Sequence, residues 1–204
     1  MNIGFDIISD LNLSANENFD WEGKATSLYC IVAGNISDNL NVLKQTFDKL
    51  SKCYQGVFFI EGTQEISMIS FKSQLQNQIM EICKQFKNVV YLHDNVVVLE
   101  GVALVGVNGW YGTYDPDNTM SEIELMVAGY EDISYLLGTI NKLQLHVDVK
   151  KIIVVSSSVP SDKLYYGQVP NTYNNIMLNG CLEKDTEHKV SHWIFGSSEK
   201  IVDT

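Results

Sequence analysis

The sequence lacks the features that would place it in several common functional classes. None of its four cysteines, Cys30, Cys53, Cys83 and Cys181, forms a CxxC pair, and each lies in or beside an apolar run. This excludes a zinc ribbon and argues against a disulfide framework; it fits reduced, buried thiols in a cytoplasmic protein. No apolar run approaches the ~18 residues of a membrane-spanning helix, and the opening MNIGFDII carries no basic stretch, so neither a span nor a signal peptide is expected. A dense basic block is also missing: the nearest thing is Lys150-Lys151, which leads into an apolar strand. With 25 acidic residues against 14 basic ones and a net charge of -11, long-range repulsion opposes a nucleic-acid backbone or an anionic membrane. There is no internal repeat, heptad or linker, so residues 1–204 read as a single domain. At 45% hydrophobic, the chain has enough apolar surface for a core.

What is present is an alternation of short apolar runs and helical stretches. Residues 2–9 and 26–33 read as strands buried on both faces, the first being the expected spine of a sheet. Asp38 can cap a helix over 39–52, where Leu40, Leu43, Phe47 and Leu50 recur at helical spacing. Gly56 precedes a strand over 57–60, and Gly62 ends it. A second helix spans 71–86, with Leu75, Ile79, Ile82, Cys83 and Phe86 on one side, and 89–92 is a short strand. Residues 95–99 and 102–107 flank Glu100-Gly101 as an antiparallel hairpin. Residues 110–119 form an aromatic and polar loop, and 120–143 a helical region with breaks expected around Gly129 and Gly138. A buried strand over 151–155, a loop over 160–172, a short helix over 175–182 and a late strand over 191–195 follow, with Ile201-Val202 closing the sheet. Strands alternating with helices, plus one hairpin, imply an α/β sandwich with mixed sheets and a site at the strand ends.

Five polar stretches stand at such ends: Ser9-Asp10-Leu11-Asn12-Leu13, Ala33-Gly34-Asn35-Ile36, Glu61-Gly62-Thr63-Gln64-Glu65, the Ser156-Ser157-Ser158-Val159-Pro160-Ser161 run, and the segment ending Gly196-Ser197-Ser198-Glu199. Their order resembles the calcineurin-like metallophosphoesterase family, where the same places read SDLHL, AGDI, PGNHE, THHAPS and GHTH. Gly106-Val107-Asn108-Gly109-Trp110 is similar to the family's strand entering a Trp-containing loop. The resemblance covers almost the whole chain and implies a four-layer α/β/β/α sandwich with two mixed sheets.

It also implies a dismantled site. By position, the family's seven ligands to two metals fall on Asp10, Asn12, Asn35, Thr63, Ser157, Ser197 and Glu199. Only Asp10 keeps the family's residue. Asn12, Ser157, Ser197 and Glu199 stand for histidines, Asn35 for the aspartate that bridges both ions, and Thr63 for an asparagine. Gln64 stands for the histidine that meets the substrate phosphate or protonates its leaving group, and an amide cannot act as a general acid. A two-metal clamp needs anionic and imidazole ligands. The second site, left with the neutral Asn35, Thr63, Ser157 and Ser197, is expected to be lost. Asp10, Asn12, Asn35 and Glu199 still offer oxygens that suit one hard cation, Mg2+ or Ca2+, or they form a hydrogen-bonded patch without one.

Other constellations carry less. Ser156-Ser157-Ser158 lacks the frame of a nucleophile elbow. His93, His146 and His188 read as surface residues, and His192 either reaches the crevice or serves as a structural histidine. Trp21 and Trp193 read as core or crevice wall. Trp110, Tyr111, Tyr114, Tyr165, Tyr166 and Tyr173 lie in loops that border the site in the family. They either anchor a partner or cover the crevice. The expectation is an inactive phosphoesterase homologue that binds a protein partner or a second copy of itself. The alternatives are a divergent phosphoesterase using one hard cation and a small-molecule binding module.

Overall fold

The computed structural model describes residues 3–17, 19–66, 72–109, 122–160 and 189–196, with backbone alone at 72–73 and 122–126. Strand β1 (Phe5–Ile8) pairs in parallel with β2 (Tyr29–Ala33), β2 with β3 (Gly56–Ile60), and β3 with β4 (Val89–Tyr91). Helix α1 (Leu40–Cys53) connects β2 to β3. The single turn α2 (Thr63–Ile66) and helix α3 (Lys72–Cys83) connect β3 to β4. A second sheet opens with the hairpin of β5 (Asn95–Leu99) and β6 (Val102–Val107). It continues through α4 (Glu122–Leu145) to β7 (Lys151–Ser156) and β8 (Val190–Phe195), both parallel to β6. The first sheet is parallel across its four described strands; the second is mixed.

The layering follows from how each strand divides its side chains. Cys30 and Val32 of β2, with Val57 and Phe59 of β3, face Leu43, Phe47 and Leu50 of α1 and Leu75, Ile79 and Ile82 of α3. The alternate residues Ile31, Ala33, Phe58 and Ile60 point the other way, against Leu104, Ile153 and Val155 of the second sheet. The far face of that sheet, Val105, Ile152 and Val154, packs under Leu136 and Ile140 of α4. Both faces of each central strand are therefore apolar, which is why these strands read as continuous apolar runs and not as alternating ones. The result is the expected α/β/β/α sandwich. Each deep aromatic, such as Phe47 against Phe59, contributes about 3–5 kcal/mol by the usual cost of truncation.

The hairpin forms in the register expected from Glu100-Gly101. Leu99 pairs with Val102, and Glu100 and Gly101 both adopt positive φ, at 49° and 84°, as a primed two-residue turn requires. Gly106 is where the two sheets meet at their edge: its backbone bridges His93, and a Cβ there would overlap the backbone and side chain of Leu92.

Four local expectations change. Among the described strands β1 is the outermost of the first sheet and not its spine, and Ile7 is 57% exposed. Strand order follows chain order, so none of the described strands returns to its outer side. The cap of α1 is Asn39 and not Asp38; its side chain accepts from the N–H groups of Asn41 and Val42. Ser37 Oγ takes the Asn39 N–H, which delays the helix by one residue. α4 runs unbroken through Gly129 and Gly138. Glycine costs only about 1 kcal/mol relative to alanine in a helix, and buried Leu136 and Ile140 outweigh it. The His93 side chain, expected at the surface, is buried, as described below. The expected helix over 175–182 and Ile201-Val202 lie outside the described residues. Among the described residues, no helix is long and apolar enough to cross a membrane.

Candidate functional site

The polar stretches after β1, β2, β3 and β7 converge at one end of the sandwich, and Gly196 after β8 joins them. Beyond its strand, β1 stays paired: Asp10 N–H donates to Gly34 O, Asn12 N–H to Asn35 O, and Leu13 N–H to Ile36 O. Asp10, Asn12 and Asn35 take left-handed backbone at φ 54°, 47° and 58°. Asp and Asn tolerate this region because a short polar side chain can bond locally. Gly62 and Gly34 make the close approach possible: a Cβ on Gly62 would overlap Asn35, and one on Gly34 would stand 2.8 Å from Gly62 and 3.1 Å from Ser157 Oγ. Gly196 packs against Ala33 O and the Ser9 side chain.

Asn35 is the hub. Its Nδ2 donates to Asp10 Oδ1 at 2.8 Å, while its Oδ1 accepts from Thr63 Oγ1 and from the Gln64 N–H, both at 3.1 Å. The backbone N–H of Gln64 can only donate and the Asp10 carboxylate can only accept, so the orientation of the amide follows from its partners. Asn12 turns its Nδ2 back onto Asp10 O at 3.0 Å. Beneath them lies Glu65, fully buried. Its carboxylate accepts the N–H groups of Asn35, Ile36, Ser37 and Gly62 at 2.7–3.0 Å. Burial pushes its pKa up, opposed by those four donors. Successive backbone N–H groups of this kind form an anion-binding concavity. Here the chain's own carboxylate fills it.

These bonds test whether a pair of metal ions fits. A bridging ligand must turn lone pairs toward both cations. At Asn35 an N–H group faces Asp10 instead, and the one oxygen is already taken by two donors. The residues present do not fit the family's two-metal centre. Ser157 is buried beside Gly34 and offers a hydroxyl where the family has a histidine. Ser197 and Glu199 lie outside the described residues, as do Trp110, Tyr111, Tyr114, Tyr165, Tyr166 and Tyr173. His192 lies on β8, where its Nδ1 is 3.0 Å from Ser191 Oγ. Trp193 packs on the second core and donates to Ser156 Oγ at 2.8 Å. Trp21 packs on the first core and donates to the Tyr54 hydroxyl.

A second polar cluster lies beside the crevice and was not evident in the sequence. The His93 side chain, expected at the surface, is only 6% exposed. Its Nδ1 is 2.8 Å from Oε1 of the fully buried Glu61, and its ring stacks on Tyr91. Its Nε2 lies 2.7 Å from the Gln76 amide and 3.6 Å from Asp94 Oδ2. Asp132, buried on α4, accepts the Gly109 N–H at 2.7 Å. Desolvation lowers the His93 pKa, but Glu61, Asp132 and Asp94 outweigh it and raise the imidazole to about 9. Burial and the same Glu61 push the Cys83 thiol up to about 12. One ligand atom from each of His93, Asp94 and Asp132 falls within 4.8 Å of the others, an incomplete metal-binding shell. The available signal was Asp132 itself: it stands on the face of α4 that carries Leu136 and Ile140, one turn apart.

No protein-family model and no curated protein sequence matches the chain. Among solved structures it is similar to the phosphopantetheinyl hydrolase from Mycobacterium tuberculosis, with a TM-score of 0.51 and 15% identity over 78% of this chain and 69% of that one. Identity that low speaks for the fold alone. The chain thus shares with that structure an α/β sandwich of two sheets flanked by helices, and it carries an incomplete three-residue metal-binding cluster.

Proposed function

We propose that this protein is a binding module built on a phosphoesterase-type sandwich, acting by contact with a protein partner or a second copy of itself and not by two-metal hydrolysis. The observation that supports this is the Asn35 side chain. It ties Asp10, Thr63 and Gln64 together by hydrogen bonds in the place where hydrolysis needs a bridging carboxylate. Gln64 supplies no titratable proton there. All 14 basic residues are lysines, and none stands in the five site stretches, so nothing there clamps a phosphate in the bidentate manner of arginine. Trp110, Tyr111, Tyr114, Tyr165 and Tyr166 are the proposed contact residues.

The test has two arms on the purified full chain. In the first, bis(p-nitrophenyl) phosphate is incubated with Mg2+, Mn2+ or Ca2+. The expected result is no hydrolysis above that of the metal alone; turnover abolished by Asp10→Ala would overturn the proposal. In the second, sedimentation velocity is run with and without alanine at Tyr165 and Tyr166. Weaker self-association in the variant identifies the partner as a second copy. A monomer at every concentration, with no change on substitution, removes self-binding.

A further inference from the structure

We propose that His93, Asp94 and Asp132 form a binding site for one divalent transition-metal ion, separate from the crevice around Asp10 and Asn35. Their ligand atoms come within 4.8 Å of one another and combine one imidazole with two carboxylates. That mixed donor set suits Zn2+ or Mn2+ better than Ca2+, which prefers a shell of oxygens. Three protein ligands also leave positions for water, as in open zinc sites.

The surroundings supply what a metal-bound histidine usually has. Such a ring presents one nitrogen to the ion while a carboxylate holds the other, fixing tautomer and orientation. Glu61 stands in that place, fully buried and 2.8 Å from His93 Nδ1. The ring is held further by stacking on Tyr91, 5.8 Å away and inclined by 23°. This leaves Nε2 toward Asp94. The backbone at Glu61 is anchored, since its main-chain carbonyl accepts from Asn108 Nδ2 at 2.8 Å. Three carboxylates, Glu61, Asp94 and Asp132, thus gather on one imidazole, and a dication would relieve their mutual repulsion. The Gln76 amide lies 2.7 Å from Nε2 and is the group an entering ion would displace; it is half-buried on α3.

The position suggests what the ion does. His93 and Asp94 form the corner that carries the chain from β4 in the first sheet to β5 in the second, and Asp132 belongs to α4, which covers the second sheet. One ion would clasp the outer helix to the junction of the two sheets. Its effect would be stability of the sandwich, read without any assay of activity.

The experiment is equilibrium dialysis and thermal unfolding of the full chain with ZnCl2 or MnCl2, followed by the visible spectrum with Co2+. The expected result is one ion per chain, a rise in Tm with metal, and a Co2+ spectrum that changes in His93→Gln. Asp94→Asn and His93→Gln should each weaken binding at least tenfold. Glu61→Gln should weaken it about ten- to a hundredfold through the histidine alone. Asp94 is half-exposed, so Asp94→Asn tests the site even where Asp132→Asn fails to fold. Asp10→Ala should leave binding unchanged. No ion bound below about 1 mM, a range where ligand linkage adds little stability, would overturn the site. So would binding that survives in both His93→Gln and Asp94→Asn. Binding lost in Asp10→Ala instead would put the ion in the crevice and count against this site, while the hydrolysis assay separately decides the proposed function.

Discussion

Restoring the bridging carboxylate by Asn35→Asp is the substitution that asks most of the crevice geometry. In the native protein Asn35 Nδ2 donates to Asp10 Oδ1 at 2.8 Å. In the variant an oxygen faces an oxygen. Two unit charges at 2.8 Å repel by about 6 kcal/mol at an effective dielectric constant near 20. The pair can escape that repulsion by holding one proton. Raising a carboxyl from about 4 to neutral pH costs about 1.4 kcal/mol per unit, so the penalty at pH 7 is bounded near 4 kcal/mol. The other side of residue 35 still accepts from Thr63 and Gln64, so little else is lost. The expected destabilisation is therefore about 3–4 kcal/mol at pH 7, shrinking below about 1 kcal/mol near pH 4. The sign follows from an acid whose folded pKa is raised: its folded state is favoured at low pH and loses stability as pH rises through that pKa. Urea denaturation of both proteins at pH 4, 5.5 and 7 measures it, and Mn2+ should recover part of the loss in the variant. Equal stability of variant and native protein at every pH would refute the hydrogen-bonded account of Asn35.

Further outcomes follow from other buried contacts. Glu65→Ala leaves four buried backbone N–H groups without their acceptor and should cost more than about 3 kcal/mol by urea denaturation, with Glu65→Gln recovering part of it. At Asp6 desolvation raises the pKa, but hydrogen bonds from Thr26, Tyr54 and Ser27 overcome it and hold the carboxyl below its usual 3.8. Its stabilisation is thus present above that value and lost as pH falls below it, and Asp6→Asn should flatten the fall in urea midpoint between about pH 5 and pH 2.5. Gly106→Ala places a Cβ into Leu92 where the sheets meet and should lower stability by about 1–3 kcal/mol or more, measured by thermal unfolding.

Much of this molecule is legible in its sequence, for reasons that are local. A strand covered on both faces is apolar at every position, so 29–33, 56–60 and 151–156 stand out as runs. Glu100-Gly101 between two apolar runs specifies a tight hairpin, because both residues must take positive φ. The identities of Asn35, Thr63, Ser157 and Ser197, which the family resemblance sets at the second metal position, argue against a two-metal clamp before any geometry is known, since none is a strong ligand for a transition metal. Tertiary structure decided the rest. That Asn35 presents its N–H to Asp10 depends on where the Gln64 N–H falls, 29 residues away in the chain. β1 lies outermost among the described strands because pairing order, and not local composition, sets a strand's neighbours. His93, Asp94 and Asp132 share no sequence spacing that marks a site; they meet because α4 packs over the second sheet beside the corner where the chain leaves the first. Burial of His93 is likewise a property of Glu61 and Tyr91 around it, contacts between side chains brought together by packing.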